Sequence, residues 1–191
     1  KKKDVNLWVS KNKFKSIYHL AAIVPIKEFN KSKAKSLKVN FLGTKYLVDA
    51  IIKYQSKKIW FFYTSTSHVY KLYKKNYKIK ESDICRPQNL YGKSKRLAEK
   101  YIIRKFSKHK YNYTIARIFS LAHKNQRASY FVPAMIEKLL KSNKEDINKI
   151  DNINHCRDFL NSKDTINAIL MLVRERKTGI FNIGSGKKIS L

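Results

Sequence analysis

Residues Lys58 to Tyr70 read KIWFFYTSTSHVY, an aromatic-rich apolar run that ends in a cluster of hydroxyls. The part from Lys58 to Thr64 is nearly continuous in apolar character, as a strand buried on both faces must be. Such a strand belongs to a parallel sheet covered by helices, and its flanks supply them. Ser36 to Tyr54 carries Leu37, Phe41, Thr44, Leu47, Val48, Ile51 and Ile52 at helical spacing, and Leu90 to Phe106 is helical again. Ser16 to Ala22 (SIYHLAA) reads as a strand running into a loop, and Tyr113 to Phe119 (YTIARIF) as another strand. Pro133 opens a helix through Leu140, and Thr165 to Arg174 forms a further one. Ile180 to Ile183 is a short strand closed by Gly184 and Gly186. This alternation predicts an α/β fold with a parallel sheet. No internal repeat or low-complexity linker interrupts it; Lys141 to Asn154 is expected to form an exposed loop and Ser190 to cap a further helix. Both ends therefore read as cut.

Composition excludes several classes. The chain has 191 residues with 43% hydrophobic side chains, enough for a packed core. No apolar run approaches the ~18 residues that a membrane span needs. Cys85 and Cys156 are too few for a disulfide framework or a four-cysteine zinc site, and His109, His123 and His155 form no ligand spacing with them, so no metal is expected. The thiols read as reduced, in a cytoplasmic protein. A net charge of +30 invites a nucleic-acid reading. However, only eight of the 43 basic residues are Arg, and the lysines are spread almost evenly. Nucleic-acid recognition favours Arg forks in a focused patch, so the charge reads as a solvated surface.

The chemistry centres on Tyr91-Gly92-Lys93-Ser94-Lys95. On a helix Tyr91 and Lys95 share a face, with Ala98 and Ile102 continuing the stripe. A phenol is a poor base at its usual pKa of ~10, and a nearby ammonium favours the phenolate, so the pair makes a proton-transfer device. Taken alone, it is equally a surface tyrosine in a Lys-rich helix. The hydroxyl cluster Thr64 to Ser67 changes that reading, because strand C-termini are where open parallel sheets hold ligands. His68 reads as a hydrogen-bonded structural histidine rather than an auxiliary acid/base, and His19 as a packing residue. Arg117 reads as a paired structural arginine, and Glu99 as solvated or ion-paired.

These segments, taken with His19-Leu20-Ala21-Ala22, Asn40 to Thr44, Arg157-Asp158-Phe159 and Phe181 to Gly184, resemble the extended short-chain dehydrogenase/reductases, the NAD-dependent epimerase/dehydratase family of nucleotide-sugar enzymes. The resemblance runs from Asp4 to Leu191. It implies a partial Rossmann-type doubly wound parallel sheet over residues 1–120 and part of a smaller substrate domain over 121–191, with segments packing back on the first. It also implies NAD or NADP as cofactor, a nucleotide-diphosphate sugar as substrate and a homodimer when full length. Tyr91 is then the catalytic acid/base, Lys95 its partner and a ligand of the nicotinamide ribose, and Thr66 the catalytic hydroxyl. Asp4 and Val5 line the adenine, Leu20, Ala21 and Ala22 pass along the cofactor, and Asn40, Ser65, Phe119 and Ser120 also face it. Arg157 holds the substrate diphosphate, with Thr66, Ser120, Tyr130 and Phe131 on the substrate side.

The departures narrow the reaction. The family's first strand and Gly-rich phosphate turn precede the point where this sequence starts, so weak cofactor binding by this stretch alone is expected, and NAD cannot be told from NADP. Lys71 stands where a Gly usually follows Val-Tyr. Ser67 and His68 replace the acidic pair that the family's 4,6-dehydratases use to eliminate water, which leaves epimerase or keto-sugar reductase. The rival from another class is a non-catalytic Rossmann-like remnant that binds a polyanion such as RNA.

Overall fold

The computed structural model describes residues 1–24, 26–71, 77–141 and 156–190. The chain opens with α1 (Lys2–Lys11), β1 (Ser16–His19), α2 (Ile26–Lys31) and α3 (Lys33–Leu37). A π-helical turn, Lys38–Gly43, joins α3 to α4 (Thr44–Tyr54). Next come β2 (Trp60–Thr66), a 3₁₀ turn at Ser67–Val69, α5 (Leu90–His109) and β3 (Asn112–Ile118). The remainder is β4 (Ser120–Ala122), α6 (Phe131–Lys141), β5 (Cys156–Arg157), β6 (Phe159–Asn161), α7 (Ser162–Arg174), β7 (Gly179–Ile183) and β8 (Ile189–Ser190).

The main sheet is parallel throughout, in the order β1-β2-β3-β7. Side chains alternate across a strand, so β2 feeds two cores at once. Phe61 and Tyr63 face Val48, Ile51, Ile102 and Phe106 of α4 and α5. Trp60 and Phe62 join Ala116 and Ile183 against Ala168, Ile169, Leu172 and Val173 of α7. That double burial is why the run from Lys58 is apolar at nearly every position. β7, from the second half of the chain, completes the sheet by pairing with β3 from Thr114↔Gly179 to Ile118↔Ile183.

Four details differ from the sequence reading. The stretch read as one helix from Ser36 contains the π turn, which places Asn40 in the interior; such turns are found mainly at functional sites. The amino-terminal helix α1 has no forecast in the sequence reading. Two small sheets, β4-β6 and β5-β8, sit beside the main one. Ser190, read as the cap of a further helix, pairs with Cys156 in β8; the residue after it lies outside the described residues. The expected loop over Lys141 to Asn154 lies outside the described residues after Lys141. Among the described residues no helix is long and apolar enough to cross a membrane, and no group of three metal-ligating side chains comes together.

Candidate active site

The site forms where β2 ends and α5 begins. Asn89 caps α5, its Oδ1 accepting from the Gly92 amide at 2.7 Å. That cap aims the first turn so that Tyr91 is buried and Lys95, one turn on, lies below it. Gly92 permits the approach: a Cβ there would stand 2.2 Å from the His68 carbonyl oxygen. α5 thus presses directly on the 3₁₀ turn that follows Thr66. The Thr66 side chain lies near enough to the Tyr91 phenol to act on its ionisation, and its Oγ1 accepts from the His68 amide at 3.3 Å.

Burial sets the protonation states. It pushes the Tyr91 phenol up to about 12, against the opposing influence of the Thr66 side chain. Burial also lowers Lys95, which is only 2% exposed, to about 8, with Glu99 acting the other way. The ammonium stands 4.5 Å over the Tyr63 ring, and desolvation is the largest effect on Tyr91. His19 is lowered to about 4 by burial and by the charge of Lys95; its Nε2 lies 2.8 Å from Thr44 Oγ1. That hydroxyl donates to the Asn40 carbonyl at 2.8 Å, so it accepts from an Nε2–H on a neutral imidazole.

Asn40 anchors the loop after β1. Its Oδ1 accepts from the Ile23 amide at 2.7 Å and its Nδ2 donates to the Ile23 carbonyl at 3.2 Å. Nδ2 also reaches Ser94 Oγ of α5 at 3.5 Å. The loop of Leu20, Ala21 and Ala22 is thereby held beside the helix that carries Tyr91 and Lys95, with Leu20 and Ala21 exposed.

Beneath the site lies a buried polar network that sequence reading resolved only in pieces. Strand register aligns Ser65, Arg117 and Asn182 across β2, β3 and β7, and all three turn toward Glu99 and Tyr70. Glu99, fully buried rather than solvated, accepts from Ser65 Oγ at 2.5 Å. It also accepts from Arg117 Nε at 3.0 Å and Nη2 at 2.9 Å, and from Arg96 Nη1 at 2.7 Å. Arg117 Nη1 donates to the Tyr70 hydroxyl at 2.8 Å, which donates to Asn182 Oδ1 at 2.6 Å. The Ser65 hydroxyl therefore holds Glu99. An arginine inside an apolar strand gives a sequence signal, but its partner Glu99, on α5, is set by how that helix packs on the sheet.

On the other side of Thr66, Phe119 donates its amide to the Ile183 carbonyl and Ser120 its amide to the Asp158 carbonyl. The Asp158 carboxylate accepts from Ser185 N, Ser185 Oγ and Gly186 N at 2.7–2.8 Å. Asp158 so links the strand end at Phe119 and Ser120 to Arg157, which is exposed on β5 and near enough for its charge to act on His68. Tyr130 lies close enough to act on the Tyr91 phenol, and Phe131 stacks on Phe159 at 6.4 Å. Asp4 and Val5 stand apart: both lie on α1, Asp4 is ion-paired with the amino terminus at 2.9 Å, and Val5 packs into the core shared by α4 and α5. The structure thus brings together Tyr91, Lys95, Thr66, Asn40 and Ser65 around the β2 end, with Tyr130 and Arg157 within electrostatic reach. Asn89 and Asp158 are the residues whose importance the sequence reading did not register; an Asn ahead of an amphipathic run is the signal that marks the first.

Comparison with known proteins places this geometry. The sequence profile of the NAD dependent epimerase/dehydratase family matches residues 1–184. A dTDP-D-glucose 4,6-dehydratase of Dictyostelium discoideum is 28% identical over 94% of the chain and 43% of its own length. A GDP-6-deoxy-D-mannose reductase of Pseudomonas aeruginosa is 27% identical over 91% of the chain and 58% of its own length. Among solved structures, a Thermus thermophilus UDP-glucose 4-epimerase in complex with NAD superposes with a TM-score of 0.81 at 17% identity, over 100% of this chain and 62% of that one. The chain spans about half the length of the curated relatives it matches.

Proposed function

The chain belongs to the NAD dependent epimerase/dehydratase family, and on that premise we propose that it carries the catalytic centre of a nucleotide-sugar epimerase or keto-sugar reductase. The observation that carries this reading is a buried Tyr91 phenol with the Thr66 side chain close enough to act on it, one helical turn from a buried Lys95. A surface tyrosine has no use for that burial.

NAD or NADP, when bound, gives or takes hydride at the sugar carbon. The residues present fit such a group. Among the described residues the Lys95 ammonium makes no hydrogen bond, so its donors are free for a ribose diol. The Leu20–Ala22 backbone, held by Asn40, offers an edge for the cofactor to pass along. Phe119 and Ser120 flank the nicotinamide side.

The remaining steps fall to this chain's own side chains. A phenol with a pKa near 12 is neutral at physiological pH and is the acid that a carbonyl oxygen needs as it becomes an alkoxide. Thr66 orients that oxygen, Tyr91 delivers the proton, and Arg157 holds the substrate diphosphate with the fork geometry of a guanidinium. Tyr130 and Phe131 close the nucleotide side. Neither Ser67 nor His68 is a carboxylic acid, which disfavours water elimination. Residues 1–120 form the cofactor half and 121–191 the substrate half, with β7 returning to the sheet. Leu90 and Leu97, exposed seven residues apart on α5, offer the surface for a homodimer. No feature of the site favours the polyanion-binding remnant.

The test is kinetic. Tyr91→Phe lowers turnover about 10²–10⁴-fold, the usual contribution of a positioned acid, with KM little changed. The assays are UDP-glucose epimerisation and NADPH-dependent keto-sugar reduction. Activity undiminished in that variant refutes the assignment.

A further inference from the structure

The proton on His68 is placed by its neighbours. As the cap of α5, Asn89 commits its Oδ1 to the Gly92 amide at 2.7 Å. Its amide nitrogen is then the atom that faces His68 Nδ1, at 3.2 Å. An amide nitrogen only donates, so Nδ1 must accept and a neutral ring must carry its proton on Nε2. Burial, reinforced by the charge of Arg157, lowers the imidazole to about 4, so the ring is neutral through the physiological range. It stands edge-on to the Tyr91 ring, with centroids 6.0 Å apart. The backbone beneath it is pinned by the close approach of Gly92. Among the described residues Nε2 has no hydrogen-bond partner, and it is not sealed from solvent.

We propose that His68 is a substrate-contacting specificity residue whose Nε2–H donates a hydrogen bond to a hydroxyl or carbonyl oxygen of the sugar lying between Tyr91 and Arg157. This rests on the nucleotide-sugar reading above. A donor fixed at that point accepts an oxygen and rejects an ammonium substituent, since two donors facing each other leave both unsatisfied. The cap of a helix thus selects the substituent, through one amide and one tautomer.

The test reads the ring nitrogens by long-range ¹⁵N NMR at pH 7, free and with UDP-glucose, GDP-mannose and dTDP-glucose in turn. Nδ1 is expected unprotonated and Nε2 protonated in the free chain, with one of the sugars shifting Nε2 and not Nδ1. His68→Phe should weaken that sugar about tenfold, the size of one net hydrogen bond. Asn89→Asp keeps the cap but turns an acceptor toward the ring, so Nδ1 should become protonated. A free chain with the proton on Nδ1 overturns the inference. So does a bound sugar that leaves Nε2 unmoved, while the nucleotide-sugar reading survives. If none of the three sugars shifts any resonance, that reading fails and the substrate role of His68 falls with it.

Discussion

Glu99→Gln tests the network that supports the site. Glu99 is fully buried and Arg117 is 1% exposed, and the carboxylate takes four hydrogen bonds, two of them from Arg117. Glutamine supplies one oxygen in place of two and turns an NH₂ toward donors. Hydrogen bonds from Arg117 to Glu99 and Tyr70 push the guanidinium above its ordinary pKa despite burial, so it stays charged and is left without its counter-ion. Removing one partner of a buried pair costs about 3–5 kcal/mol. That is a large share of the roughly 5–15 kcal/mol that stabilises a typical domain. With a urea dependence of about 2 kcal/mol per molar, the midpoint should fall by about 2 M. The measurement is equilibrium urea unfolding at pH 7, followed by circular dichroism and tryptophan fluorescence. The double variant Glu99→Leu/Arg117→Met removes both charges together and should recover at least half of the loss. A Glu99→Gln variant within about 1 kcal/mol of the parent refutes the reasoning, because such a small cost belongs to a solvated pair.

Three further outcomes are expected. Gly92→Ala drives a Cβ into the His68 carbonyl and should destabilise by about 1–3 kcal/mol or more, with loss of Tyr91–Thr66 geometry; unfolding curves and turnover read both effects. Stability should fall as pH drops from 6.5 to about 4, because unfolded His19 and His68 take up protons that the folded chain refuses until about pH 4. The loss is about 3 kcal/mol per histidine, and a His19→Gln/His68→Gln chain should show a flatter profile in urea midpoints across that window. Lys95 follows the same sign in a higher window: its folded pKa of about 8 lies below its ordinary 10.5, so its charge opposes folding at pH 7 and that burden lifts between pH 8 and 10.5. Lys95→Met should therefore raise stability at pH 7 by on the order of 3 kcal/mol while abolishing turnover; a less stable variant counts against the buried ammonium.

How far the sequence was legible depends on the range of the interaction involved. β2 and α5 are readable because their signals are local: a run buried on both faces, and an Asn ahead of an amphipathic repeat. Motif order puts Tyr91 and Thr66 in one site, and the Thr66 side chain lies close enough to act on the phenol. The protonation of that phenol is not legible in the same way, since helical spacing puts Tyr91 and Lys95 on one face but says nothing about desolvation or about the Tyr63 ring beneath the ammonium. Glu99 reads as solvated or ion-paired; the ion pair is what forms, but Arg117 on β3 and Ser65 on β2 reach it from strands that local signals cannot bring to the helix. The pairing of Ser190 with Cys156 is out of reach of local signals because the two lie far apart in the chain.

By itself the sequence determined the parallel α/β layering, the helix that carries Tyr91 and Lys95, and the family, because periodicity, caps and ordered motifs act over a few residues. Only the tertiary structure decided which protons those residues hold. Protonation follows from burial and from partners that strand register and the Gly92 contact bring together across tens of residues.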